Sequence, residues 1–400
     1  MYNRKLGWYA VEASHPLFAV CVPIITISAS MEILMTLTNY WWLLIWLFFG
    51  GALASYLPKR QELVNGRTEK RWSVTAAILM VLPYIIWAGT RKSFGDTYTY
   101  RRGFQNAPDD LSLIPGLFLS EQKDPGYTAF LILMKCLIGN NEELYFTIIA
   151  LFQLLSMAFV FRKYSDDYWT CIFLFVVSTD YLSWMHNGMR QFIAVTIIFA
   201  GFRYLVEKQY IKMILLILVA SQFHGSALIM LPIIFVVQGD AWNGKSLLML
   251  TASAVFMAVF DRFSPLLNEL LQETQYNDMM TNEIWSTDDG TNIIRVAVYS
   301  VPALVSLLGL KYIRAANNPA MNICVNCSIV TMALYLVASV SSGIYIGRLP
   351  IYTTLHGYMA LPWMINQIFD KPSARLVRLA MYAAYLFFFY YQMAITWNAL

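Results

Sequence analysis

Residues 183–194 read Ser-Trp-Met-His-Asn-Gly-Met-Arg-Gln-Phe-Ile-Ala. Runs apolar enough for lipid flank this stretch, 169–177 before it and 192–201 after it. Between them stand His186, Asn187, Gly188, Arg190 and Gln191. These residues do not suit hydrocarbon unless they face water or a ligand, and an arginine at the centre of a membrane helix costs a few kcal/mol or more. Arg190 is therefore expected at the mouth of a membrane helix. The rest of the chain reads as a membrane scaffold around a small set of such positions on one side of the bilayer.

Composition agrees. The 400 residues are 58% hydrophobic and 13% charged, where a soluble domain carries about 25% charged residues. Apolar runs of roughly 17–25 residues recur along the whole length, so helices and not a barrel are expected to cross the bilayer. The fold class is all-α, a polytopic integral membrane protein with a single multi-spanning domain over 1–400. Spans are expected near 17–37 (with Glu32 inside), 40–57, 72–90, 144–161, 168–184, 190–206, 211–223, 227–237, 246–260, 293–310, 321–341, 351–369 and 376–396. Residues 126–138 are apolar but too short to cross, and read as a re-entrant half-helix. That makes about thirteen transmembrane helices plus one half-helix.

The five cysteines are scattered. Cys324 and Cys327 form a Cys-x-x-Cys inside an expected helix with no further ligand types beside them, so neither metal nor cofactor is expected. The net charge of +4 is too small to suggest nucleic acid. Residues 1–14 are polar and precede a long apolar run, which does not resemble a cleavable signal.

Charge placement orients the spans. With the amino terminus inside, one set of loops (1–16, 59–71, 162–167, 203–212, 239–245, 311–318, 370–378) holds 18 Lys/Arg, and the opposite set holds 9. The richer set is expected in the cytoplasm. The segment 91–127, which leads into the half-helix, and the acidic loop 261–292 then face outward, as do Arg190, His224 and Arg348.

The outward clusters suggest chemistry. They are 91–102 with Asp96 among Arg91, Lys92, Arg101 and Arg102; Lys123-Asp124-Pro125-Gly126-Tyr127; His186 with Arg190 and Gln191; Gln222-Phe223-His224-Gly225-Ser226; and Gly347-Arg348 with Tyr352. Arginine stays charged and grips phosphate oxygens with its planar fork. Several arginines at one helix mouth suit a diphosphate whose lipid tail lies in the bilayer. A carboxylate or histidine beside them can take a hydroxyl proton. Each cluster also has a structural alternative: headgroup anchors for Arg91 and Arg101, a turn cap for Asp96, turn chemistry for Asp124, hydrogen-bonded packing for His224, and ion pairing for Arg190 and Arg348.

At these clusters the sequence resembles the EpsG-type polysaccharide polymerases, relatives of the Wzy O-antigen and capsule polymerases of bacteria. Gly95-Asp96-Thr97 with Tyr100 and Phe104 is similar to the family's Gly-x-Asp-x3-Tyr-x3-Phe stretch. Asp124-Pro125-Gly126-Tyr127 is similar to its Glu-Pro-Gly-Tyr, with Asp in place of the usual Glu. Arg190-Gln191-Phe192-Ile193-Ala194 resembles its Arg-Gln-x-Ile-Ala, Phe223-His224-Gly225-Ser226-Ala227-Leu228 its Phe-His-x-Ser-Ala-Leu, and Arg348 with Tyr352 its late Arg-x3-Tyr.

The resemblance implies a GT-C-like, metal-independent glycosyltransferase at the outer face of the bacterial cytoplasmic membrane. It would polymerise oligosaccharide repeat units carried on undecaprenyl diphosphate, moving the growing glycan to the terminal sugar hydroxyl of an incoming lipid-linked unit. It implies Arg190, Arg348, Arg91 and Arg101 at the diphosphate, Asp96 or His224 as base, and Asp124, Tyr127, His186, Gln191 and Tyr352 elsewhere in the substrate site. A chain-length regulator and a flippase are the implied partners. The alternatives from other classes are a lipid-linked-oligosaccharide flippase or other transporter, a ligase-like glycan transferase, and a membrane acyltransferase built on an intramembrane histidine.

Overall fold

The computed structural model describes residues 40–57, 59–64, 67–120, 123–272 and 290–399. The expected first span at 17–37, with Glu32, lies outside the described residues. The rest is almost entirely helical: α1 (Trp41–Ser55), α2 (Val74–Thr90), α3 (Thr97–Gln105), α4 (Pro125–Ile138), α5 (Glu142–Tyr164), α6 (Tyr168–Val177), α7 (Met189–Ala200), α8 (Tyr210–Phe223), α9 (Met230–Val236), α10 (Gly244–Gln272), α11 (Ile293–Leu308), α12 (Leu310–Ala316), α13 (Pro319–Val340), α14 (Ile351–Ile368) and α15 (Lys371–Tyr391). The protein is an all-α polytopic membrane protein.

Among the described residues, Glu142–Tyr164, Pro319–Val340 and Lys371–Thr396 are long and apolar enough to cross a membrane as single rods. Other expected spans are shorter or broken. Helices α11 and α12 bend by 75° at Gly309. The span expected at 168–184 stops at Val177, because Thr179 takes a left-handed conformation (φ 62). A short turn Asp180–Leu182 follows, then a π-helical turn Ser183–Asn187. The expected half-helix falls on α4, whose 14 residues reach about 21 Å at 1.5 Å per residue, short of a hydrocarbon core about 30 Å thick, as are those of α6, α7 and α8.

Two local expectations need correction. Residues 59–71, read as a basic loop, contain a two-stranded antiparallel hairpin, β1 (Arg60–Val64) and β2 (Arg67–Arg71), with Arg60 opposite Arg71. Of the acidic loop expected at 261–292, residues 261–272 continue helix α10, and 273–289 lie outside the described residues.

Burial explains the layout. Every residue of α6 but the half-buried Trp169 is buried, and so is α14 from Ile351 to Ile365. Their sequences are apolar all round, as suits a helix wrapped by others. Polar cross-links fix their register. The Asp180 carboxylate is fully buried and accepts hydrogen bonds from Tyr299 of α11 (2.5 Å), Trp184 Nε1 (3.1 Å) and Tyr358 of α14. A buried carboxylate needs such donors, since an unpaired one is far too costly in an apolar interior. A second, smaller core of Phe104, Tyr127, Tyr145, Phe146, Ile149 and Met189 is built from α3 and the starts of α4, α5 and α7, and Tyr127 carries it to Arg190.

Candidate functional site

The site begins with a residue in an unusual backbone state. Asp124 caps α4 from the left-handed region, φ 55 and ψ 53, which aspartate tolerates better than most residues. Pro125 follows at the first helical position, where its missing N–H costs nothing. Gly126 comes next because a Cβ there would lie 2.6 Å from Gln222 Cβ and 3.0 Å from the Gln222 carbonyl oxygen. That close approach seats the start of α4 against the end of α8, and so brings Asp124 to the turn after His224.

The Asp124 side chain is only 2% exposed. One carboxylate oxygen accepts from Arg190 Nη1 at 3.0 Å, the other from the Gly225 backbone N–H at 3.2 Å. The Arg190 side chain is 38% exposed, and its guanidinium also lies 5.6 Å from the centre of the Tyr127 ring. The result is a cation held from behind by a buried anion and an aromatic face, with part of its surface open. Tyr127 is held in turn by a hydroxyl–hydroxyl bond to Tyr145 (2.8 Å), and Tyr145 stacks on Phe104 at 4.3 Å.

His224 sits in the turn between two apolar helices. Its Nδ1 is 2.7 Å from Ser226 Oγ, which is 2.9 Å from the Tyr352 hydroxyl. With Nδ1 engaged, Nε2 is the nitrogen left to meet a substrate. Burial lowers the His224 pKa to about 4, against a raising contribution from Asp124, and Arg190, Lys123 and Arg348 lower it further. Three cations from three distant segments thus act on one imidazole. Gln191 Nε2 donates to the Arg348 carbonyl at 2.9 Å, tying the start of α7 to the turn before α14.

Asp96 precedes α3 and is half-buried. Gly95, at φ 51, lies so close to Asn187 that a Cβ would meet Asn187 Oδ1 at 2.9 Å. The Tyr100 hydroxyl donates to the Asn187 carbonyl at 3.4 Å, and its phenol feels both Arg190 and Asp96. This places the Asp96 loop beside the Arg190 cluster.

Asp124, Tyr127, Arg190, Gln191, His224, Arg348 and Tyr352 therefore converge, with Asp96 alongside. Three other expected site residues have different surroundings. Arg91 is 6% exposed and gives Nη1 to the carbonyls of Ala88 (3.2 Å) and Met185 (2.9 Å), with its guanidinium over the Phe146 ring at 4.1 Å. It joins α2 to the π-helical turn and packs against α5, because a buried cation takes whatever acceptors surround it. Arg101 pairs with Glu142 at 2.6 Å and donates to the Arg91 carbonyl. His186 is fully buried among Trp87, Phe94 and Tyr181. Among the described residues no group of His, Cys, Asp and Glu is placed to hold a metal.

Sequence reasoning passed over Ser226, Tyr100 and Asp180. The first two stand inside the quoted motifs, and Asp180 is a lone carboxylate in the apolar stretch 169–185, which is itself a signal.

No curated protein and no solved structure matches the chain. A family model does, over residues 74–398, from the start of α2 almost to the carboxyl terminus and across every segment that meets at Arg190. The chain belongs to the EpsG family.

Proposed function

We propose that the protein polymerises polyprenyl-diphosphate-linked oligosaccharide units, with undecaprenyl diphosphate as carrier, at the outer face of the cytoplasmic membrane. The EpsG family suggests a membrane polysaccharide polymerase of exopolysaccharide biosynthesis with glycosyltransferase-like activity. The observation that carries the finer reading is the convergence of Lys123, Arg190 and Arg348 on His224, beside the buried Asp124.

In this reading Arg190 and Arg348 hold the donor's diphosphate. The acceptor's sugar hydroxyl attacks the anomeric carbon of the growing chain. A glycosidic C–O bond forms and the bond from the anomeric carbon to the phosphate oxygen breaks. The hydroxyl proton passes to His224 Nε2 or to Asp96, and the leaving diphosphate's charge develops against the arginines, where fixed donors are most effective. Asp124 holds Arg190 in place and Tyr352, through Ser226, holds the imidazole. His224 is neutral at pH 7 and has a lone pair to accept the proton, and its lowered pKa makes it a weaker base than a free imidazole.

The test is Arg190→Ala in the producing cell, read on a glycan gel at matched protein level. A ladder that collapses to a single repeat unit is expected. Removing one such donor costs about 10²–10³ in rate. Arg190→Lys keeps the charge but loses the fork, and is expected to leave a shortened ladder. An unchanged ladder for Arg190→Ala overturns the assignment. Deleting the whole protein and losing all surface glycan, single units included, points to a flippase or ligase.

A further inference from the structure

A basic cavity stands away from Arg190. A cavity of about 460 Å³ lies at the other end of the bundle, between the β1–β2 hairpin, the turn joining α5 to α6, and α15. The two places are separated along α2 and α5. Arg71 and Arg162 stand at one end of these antiparallel helices, Arg91 and Glu142 at the other. The 17 residues of α2 alone amount to about 25 Å.

Five cations line the cavity, Lys59, Lys70, Arg71, Arg162 and Arg378, against two carboxylates, Asp166 and Asp167. The charge balance is +3. The two inner arginines are built in: Arg71, 6% exposed, donates Nη1 to the Arg162 carbonyl at 2.8 Å, and Arg162 donates Nε to the Trp72 carbonyl at 2.7 Å. These carbonyl contacts orient both guanidinium groups. Asp167 is largely committed. One oxygen caps α6 through the Thr170 N–H at 3.1 Å, and the other meets Arg378 Nη1 at 3.6 Å. Lys59 and Lys70 are exposed at the rim.

Trp72 and Tyr168 line the cavity and pack together at 5.1 Å. Beside them α15 turns Leu376 and Leu379 outward, 70% and 65% exposed, a surface suited to acyl chains.

We propose that this cavity binds a phosphate-bearing anion, the headgroup of an anionic membrane phospholipid, at the bundle end that charge placement assigns to the cytoplasm. Basic pockets between helices on that side take anionic headgroups, and each lysine near such a surface is worth about 1 kcal/mol, a factor of about five. The site is separate from the glycan chemistry and does not depend on it.

The full chain, purified in a zwitterionic detergent, is titrated with phosphatidylglycerol or phosphatidylcholine in mixed micelles. Bound lipid is counted by native mass spectrometry and thermal stability is followed in parallel. Phosphatidylglycerol is expected to bind preferentially and to raise the melting temperature. The double variant Lys59→Gln/Lys70→Gln, altered only at exposed rim positions, is expected to bind it roughly 25-fold more weakly. Equal binding of both lipids, or an unchanged preference in the double variant, overturns the proposal. In a third arm inorganic phosphate is added alone. If it stabilises the protein as well as the lipid does, and the double variant abolishes that effect, the lipid source is overturned and a soluble phosphate compound takes its place.

Discussion

Replacing Asp124 by asparagine separates charge from shape at the centre of the site. Asparagine has the same size as aspartate and also tolerates the left-handed backbone at φ 55, so α4 keeps its start. Its amide oxygen still accepts from the Gly225 N–H. What is lost is the negative charge facing Arg190 Nη1 at 3.0 Å and the hydrogen bond it accepted, since the amide NH2 now stands there as a second donor. A hydrogen bond to a charged group contributes about 1.5–3 kcal/mol, and truncating one partner of a fully buried ion pair costs about 3–5 kcal/mol. Arg190 is 38% exposed, so water compensates part of the loss, and the lower figure of about 1.5 kcal/mol applies to stability. The effect on turnover is expected to be at least as large. A guanidinium released from its anchor samples other positions, and a tenfold loss corresponds to about 1.4 kcal/mol. The assay is polymer length on a glycan gel with protein level measured by blot, and the cycle is completed with Arg190→Gln and the double variant. If Asp124 acts through Arg190, the double variant is no worse than Arg190→Gln alone. Additive losses, or a full ladder from Asp124→Asn beside a collapsed one from Arg190→Gln, would refute the anchoring argument.

Gly126→Ala puts a methyl 2.6 Å from Gln222 Cβ; overpacking of this kind costs about 1–3 kcal/mol, and melting of the purified protein is expected to fall with polymer output. Asp180→Ala leaves the donors of Tyr299, Trp184 and Tyr358 buried without their acceptor; a loss of about 3 kcal/mol or more is expected, seen as reduced membrane-inserted protein. The pKa of His224 is lowered to about 4 from 6.5, so the folded state binds fewer protons than the unfolded between those values. Its neutral form is then fully present above pH 6.5, and the stability tied to it falls as pH drops towards 4. A pH–activity profile in proteoliposomes is expected to hold its His224-dependent acid limb near 4, and a limb near 6.5 would contradict the burial of that ring.

The architecture was legible because apolar periodicity survives in any membrane helix. Residues 126–138 read as one short helix, and α4 is a 14-residue helix. What could not be read was where a span breaks. Thr179 ends α6 through a backbone conformation that nothing in Val177-Ser178-Thr179 announces. The carboxylate that organises the break, Asp180, finds its partners 119 and 178 residues later. The same limit holds at the site. Arg190 and Arg91 look alike in sequence, each beside a helix end. One is propped open by a buried aspartate, and the other is consumed by carbonyls of Ala88 and Met185. Only the packing of α2 on the π-helical turn separates them. Conversely Gly126 and Gly95 were quoted as motif letters, and the structure gives each a reason: a backbone that another chain segment approaches too closely for any side chain.

The bond from Ser226 to Tyr352 spans 126 residues, and the one from Gln191 to Arg348 spans 157. Both close the site with segments made late in translation. A nascent chain that has inserted as far as α13 already has Arg190, Asp124 and His224, but the imidazole still lacks the tyrosine behind its serine. Order of synthesis therefore sets when the imidazole is braced: only once α14 has been made does Tyr352 stand behind Ser226.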